Sequence, residues 1–104
     1  METIAFRMKL KPGAEEAYKQ RHDEIWPELI DVLHRAGVSD YTIFLDPDTS
    51  VLFAVLTRTD EHGMKDLPFD PVVQRWWAYI APLMETNVDK SPATCDLRPV
   101  FYMR

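Results

Sequence analysis

The sequence has 104 residues, 12 Lys and Arg against 17 Asp and Glu for a net charge of -5, and a single cysteine. A chain of this length suits one domain over residues 1–104, small enough that burying one face against a second copy is expected, so a homodimer is anticipated. Interspersed charge excludes a nucleic-acid surface, Cys95 alone excludes a disulfide within the chain or a zinc site of several thiolates, and no run of about 18 apolar residues marks a membrane span.

In chain order, the first signal has period two. Ile4, Phe6, Met8 and Leu10 alternate with Thr3, Ala5, Arg7 and Lys9, which predicts a half-buried strand ending at Lys11-Pro12-Gly13. The first seven residues carry no basic region leading into a long apolar segment, so export is not expected and the cytoplasm is the default location. From Ala14 the period changes: Ala17, Tyr18, Ile25, Leu29, Val32, Leu33 and Ala36 share a helical stripe, and Gly37 stands where a glycine stops a helix. A helix is therefore predicted over 14–36. Pro27 has no N–H for the Asp23 carbonyl and its ring crowds that carbonyl, so a kink or break is expected next to His22.

Tyr41, Ile43 and Leu45 alternate with Asp40, Thr42 and Phe44 up to the turn formers Asp46-Pro47-Asp48-Thr49-Ser50, after which 51–56 is an apolar run; together they predict a hairpin. Residues 60–69 mix charges with Gly63 and Pro68 and suit a short helix or a loop. Asp70 is an N-cap candidate with Pro71 at the first helical position. Val73, Trp76, Trp77, Ile80 and Met84 then carry the stripe of a second helix, whose last turn Pro82 should weaken. A fourth strand is predicted over 94–103, held to an edge or a bulge by Pro99 and suited to pairing across a dimer. The order strand, helix, strand, strand, helix, strand is that of a ferredoxin-like βαββαβ α+β domain, with two helices on one sheet face. The other face needs cover, and a second sheet from a partner would give a dimeric α+β barrel.

Tyr18, His22 and Trp26 recur at intervals of four, so they share one helical face. A face devoted to packing would carry leucines. Histidine has the side-chain pKa nearest neutrality, about 6.5, which makes His22 between two amphipathic aromatics a candidate proton-transfer group; a histidine that only hydrogen-bonds near the Pro27 kink is the plainer alternative. His34 and His62 lack such company and are expected at the surface. Trp76 and Trp77 point about 100 degrees apart on a helix, so one can pack while the other lines a cavity, or both can be core. Flat apolar walls with N–H and O–H groups at the rim are what a sugar requires, and tryptophan and tyrosine supply both; Tyr41 could add a hydroxyl or serve as an ordinary strand aromatic. The neighbouring carboxylates Glu15-Glu16 and Asp23-Glu24 diverge on a helix and give no glycosidase pair. The chain has no HExxH, Gly-x-Ser-x-Gly or phosphate-binding glycine motif, which disfavours metal, serine-nucleophile and nucleotide chemistry.

The tract Tyr18-Lys19-Gln20-Arg21-His22 with Ile25-Trp26-Pro27-Glu28-Leu29, the strand around Tyr41, the stretch Gln74-Arg75-Trp76-Trp77 and the ending Val100-Phe101-Tyr102 together resemble the L-rhamnose mutarotase family. The resemblance covers nearly the whole chain. It implies a dimeric α+β barrel, a cytoplasmic location and interconversion of the α and β anomers of L-rhamnose without a cofactor. By position it implies that His22 is the proton donor, that Tyr18, Tyr41, Trp76 and Trp77 bind substrate, and that Trp26 packs at the kink. Mutarotation opens a hemiacetal and recloses it on the other carbonyl face, which is general acid–base chemistry. His22 is then expected to be the acid for the ring oxygen, with the base left open between a bound water and a tyrosine hydroxyl. Two rivals remain from the sequence: a cofactor-independent monooxygenase or haem-degrading enzyme of the same fold, and a non-catalytic sugar-binding dimer module.

Overall fold

Period two in the first residues becomes a central strand, β1 (Glu2–Lys9), which pairs antiparallel with β3 (Val51–Arg58) from Glu2 opposite Arg58 to Lys9 opposite Val51. The computed structural model describes residues 1–104. Its sheet has the order β2-β3-β1-β4, where β2 is Val38–Asp46 and β4 is Cys95–Leu97, and every pairing is antiparallel. This is the expected ferredoxin-like arrangement. The β2–β3 hairpin closes where Asp46 accepts hydrogen bonds from the Asp48 N–H at 3.0 Å and the Thr49 hydroxyl at 2.9 Å, a side-chain-stabilised turn of the kind its composition predicts.

The single helix expected over 14–36 is instead two, α1 (Glu15–Asp23) and α2 (Pro27–Arg35). Pro27 is responsible twice over. It disfavours helical backbone at the preceding Trp26, which is extended at φ -68° and ψ 129°, and its fixed φ then suits the first position of α2. Past α2, Gly37 adopts φ +90°, as a terminating glycine should. A Cβ added there would lie 2.3 Å from the Thr59 hydroxyl oxygen, so neither the backbone nor the space admits another residue.

Residues 60–69 form a 3₁₀ helix at Met64–Phe69, and Asp70 caps α3 (Pro71–Ile80) by accepting from the Val72 N–H at 2.8 Å and the Val73 N–H at 3.4 Å. The second helix was expected to reach Met84; it stops at Ile80 and tightens to a 3₁₀ turn at Ala81–Leu83 around Pro82. The fourth strand also proves shorter than 94–103, because only Cys95–Leu97 pair, with Arg7, Phe6 and Ala5 of β1. Pro99 offers no N–H to continue that ladder.

All helices pack on one face of the sheet. Met8, Leu10, Leu52 and Ala54 meet Tyr18 of α1, Leu29 and Val32 of α2, and Val73, Trp76 and Ile80 of α3 in a continuous core. Each large apolar side chain so buried contributes about 1.5–3 kcal/mol of transfer free energy. The opposite sheet face is bare, with Phe44 of β2 opposite Phe53 of β3 and that residue opposite Arg7 of β1. No helix is long and apolar enough to cross a membrane.

Candidate functional site

The break at Pro27 leaves His22 in the last turn of α1, where its side chain turns back along its own helix. Nδ1 lies 2.9 Å from the Tyr18 carbonyl oxygen one turn earlier. A carbonyl only accepts, so Nδ1 carries the hydrogen and donates, and Nε2 of the neutral ring is left with its lone pair. The imidazole lies against the Tyr18 ring, centroids 4.2 Å apart at 33°, and meets Trp76 of α3 edge-on at 5.3 Å and 85°.

Behind Trp76 stands a brace that sequence spacing did not disclose. Trp26 meets Trp76 edge-on at 5.1 Å and stacks on Tyr79 at 5.6 Å and 26°. Arg21 places its guanidinium 4.3 Å from the centre of the Tyr79 ring and donates to the Tyr79 carbonyl. Trp26 therefore packs, as the resemblance implies, and it packs on a substrate-binding candidate. Arg21 and Tyr79 were missed; their only sequence signal is that Arg21 precedes His22 and that Tyr79 lies three residues after Trp76 on the same helix.

Tyr41 reaches the site through an irregularity in β2. Ser39 pairs with Thr57 and Thr42 with Val55, so Asp40 and Tyr41 together oppose the single residue Leu56. Asp40 takes up the extra residue at φ +48°, a conformation aspartate tolerates better than most side chains. The bulge lets Val38 and Tyr41, three residues apart, both face the helices, which strict alternation forbids. Tyr41 rests edge-on against Phe6 of β1 at 6.4 Å and 73°.

Tyr18, His22, Tyr41, Trp76 and Trp77 all line one cavity of about 1140 Å³ between the helices and the sheet. Structure thus brings together all five candidates. Trp76 is buried and Trp77 half-buried, and both line the cavity, so the adjacent pair differs in depth, with Trp76 also packed in the core. His34 lies exposed on α2, whereas His62, expected at the surface, is half-buried and accepts at Nδ1 from the Met64 N–H at 3.3 Å. No three His, Cys, Asp or Glu side chains converge in a way that could hold a metal ion.

The electrostatics follow from this packing. Burial lowers the His22 pKa below its ordinary 6.5, opposed by the Tyr18 carbonyl and the Asp23 charge. Burial raises the Tyr18 phenol well above its usual value, and the Tyr41 phenol raises it further. Burial also pushes Tyr41 up to about 12. Tyr41 as a whole is 40 % exposed, so it keeps solvent access that the buried Tyr18 lacks.

The family model described as L-rhamnose mutarotase matches residues 3–103. An L-rhamnose mutarotase of Brucella anthropi is 61% identical over 102 residues, covering 98% of this chain and 96% of the relative, and one from a Jannaschia species is 57% identical, covering 99% of each. The crystal structure of an L-rhamnose mutarotase from Formosa agariphila superposes with a TM-score of 0.93 at 43% identity over 100% of both chains. Rv0793 from Mycobacterium tuberculosis, 15% identical with a TM-score of 0.60, shares the fold alone. With a family match over nearly its whole length, full-length relatives above half identity and a superposable structure, the chain belongs to the L-rhamnose mutarotase family.

Proposed function

We propose that the cavity binds L-rhamnose, that His22 is its proton-transfer group, and that Tyr18, Tyr41, Trp76 and Trp77 are its substrate-binding residues. The activity is that of the family, a carbohydrate isomerase of the racemase and epimerase class that interconverts the α and β anomers of L-rhamnose. Ring opening removes a proton from the anomeric hydroxyl and delivers one to the ring oxygen; rotation about C1–C2 and reclosure complete the exchange. Each transfer assisted by a positioned side chain gains about 10² to 10⁴-fold, and the sugar already exchanges spontaneously, so this reading involves no cofactor.

The observation that carries the reading is the mounting of His22. Its ring is held between Tyr18 and Trp76 with Nδ1 committed to a backbone carbonyl, so a single nitrogen remains for chemistry beside aromatic walls suited to a sugar's C–H face. Exchange NMR on L-rhamnose tests it. Wild type should speed exchange between the two anomer signals, and His22→Ala should slow that rate by about 10² to 10⁴-fold. A wild type that leaves exchange at the solvent rate defeats the reading.

The same reading includes a cytoplasmic homodimer, with residues 1–104 as a single domain and the bare sheet faces packed together in a dimeric α+β barrel. Its support is the exposure of Phe44, Phe53 and Leu97 on that face and of Val100, Phe101, Tyr102 and Met103 in the tail, large apolar side chains that a partner's surface would cover.

A further inference from the structure

This inference rests on the mutarotase reading and concerns what holds its proton-transfer group in place. The geometry points to Arg21 and Tyr79 as positioning residues that, together with Trp26, lock Trp76 against the His22 imidazole.

His22 stands where a helix is weakest. Of the nine residues of α1 only Tyr18 is buried, His22 is the last but one, and the chain has left helical geometry by Glu24. A helix so short draws its order from tertiary contacts rather than from its own hydrogen bonds, and its end opens first. The neighbouring pair of Lys19 and Asp23, at 2.8 Å, has both side chains mostly exposed and adds little. The bond from Nδ1 to the Tyr18 carbonyl ties the imidazole only to its own helix, so the ring moves wherever that turn moves.

α3 is the firm partner, with Val73, Trp76 and Ile80 all buried. Arg21, next to His22, reaches across to it and donates to the Tyr79 carbonyl. That carbonyl lies in the last turn of α3, where carbonyls run out of partners along the helix and the helix dipole favours a cation. The same guanidinium lies 4.3 Å from the centre of the Tyr79 ring, and Arg21 takes part in none of the ion pairs of the chain. The Tyr79 ring in turn stacks on Trp26 at 5.6 Å and 26° and touches Trp76 at 5.8 Å and 57°, while Trp26 meets Trp76 at 5.1 Å and 83°. Trp76 completes the circuit by meeting the imidazole at 5.3 Å and 85°.

Every link in that circuit joins planar groups, so Trp76 cannot tilt away from His22 without displacing Trp26 or Tyr79. Arg21, Trp26 and Tyr79 are not among the residues that line the cavity. Their effect on the reaction therefore passes through Trp76 and His22. A brace that merely held the helices together would change stability and leave the rate of the folded protein alone.

Exchange kinetics and NMR on the full chain separate the two roles. Tyr79→Leu removes the ring but keeps the carbonyl, and should lower kcat by about 10- to 100-fold, the effect of setting a reacting group about 1 Å astray, with KM rising less. Tyr79→Phe keeps the ring face and should restore kcat to within about threefold of wild type. At the half-buried Arg21, a site where folding is less at risk, Arg21→Met should lower kcat by about three- to tenfold. Arg21→Lys should recover part of that loss, because it retains the charge without the planar fork. The carbon-bound ring protons of His22 sense the ring currents of Tyr18 and Trp76, so their signals should move in Tyr79→Leu and Arg21→Met and return toward wild type in Tyr79→Phe. With an active wild type, an unchanged kcat in Arg21→Met, unmoved His22 signals, or a Tyr79→Phe variant as slow as Tyr79→Leu overturns this inference and leaves the mutarotase reading standing. A wild type that leaves exchange at the solvent rate removes both.

Discussion

Leu52 and Phe53 are consecutive on β3 and meet opposite surroundings. Leu52 is 2% exposed beneath the helices, while Phe53 is 37% exposed on the face that no part of this chain covers, opposite a Phe44 that is 59% exposed. Alternation along the strand decides which face a residue joins; it does not decide what covers that face. On the inner side the chain supplies its own cover, and because α1 breaks off from α2 at Pro27 that cover leaves a cavity with a histidine at its edge. On the outer side apolar residues stand in a cross-strand row with no intrachain partner, which is the condition of an assembly surface. The proposed chemistry and the proposed assembly thus fall on opposite faces of one sheet.

Substitutions can sharpen that division. Leu52→Ala should cost about 2–5 kcal/mol in urea unfolding, because a fully enclosed side chain leaves a void beneath the helices. A loss below about 1 kcal/mol would mean that the inner face closes over the gap and is not the rigid half of the pair. The inner face should also sense pH. Folding lowers the His22 pKa below 6.5, so beneath that value the unfolded chain binds a proton that the folded chain refuses, and stability should decline as pH falls, levelling once the folded imidazole is also protonated. Thermal melts across that window should show the decline in wild type and a weaker one in His22→Asn. The smallest effect belongs to the outer face. Phe44→Thr should alter the stability of the separated chain by about 0.5 kcal/mol or less, yet shift sedimentation toward monomer if the proposed dimer uses this face. An unchanged dimer would remove Phe44 from the interface.

Much of this was legible from local chemistry. Alternation located β1 and the β2–β3 hairpin, Asp70-Pro71 marked the start of α3, and Pro27 marked the discontinuity beside His22, each because a backbone preference acts within a few residues. What escaped depends on contacts between distant segments. Nothing local to Arg21 says that its guanidinium will lie over Tyr79, and the end of α3 at Ile80 accompanies the bonding of Leu83 and Glu85 to Lys11 and Lys9 at the end of β1 as well as the N–H that Pro82 lacks. The fourth strand was overextended because apolar, extended residues look alike in sequence whether or not a neighbouring strand has backbone groups to offer them. Tyr41 was found as a candidate, but the bulge that delivers it was not, since Asp40 shows no composition signal of the glycine kind usual at such a position.

That bulge has a consequence for length rather than for chemistry. A regular strand is counted in pairs, and losing one residue from its middle turns every side chain on one side of the loss to the wrong face. β2 is one residue longer than its ladder with β3 requires, with Asp40 as the surplus. Removing Asp40 would close the ladder while leaving Val38 and Tyr41 both directed at the helices, so the strand carries a spare beside the cavity. What such a deletion would take away is the local bend that sets Tyr41 against Phe6, so the width of the cavity at its sheet wall is held by a residue that the pairing itself does not need.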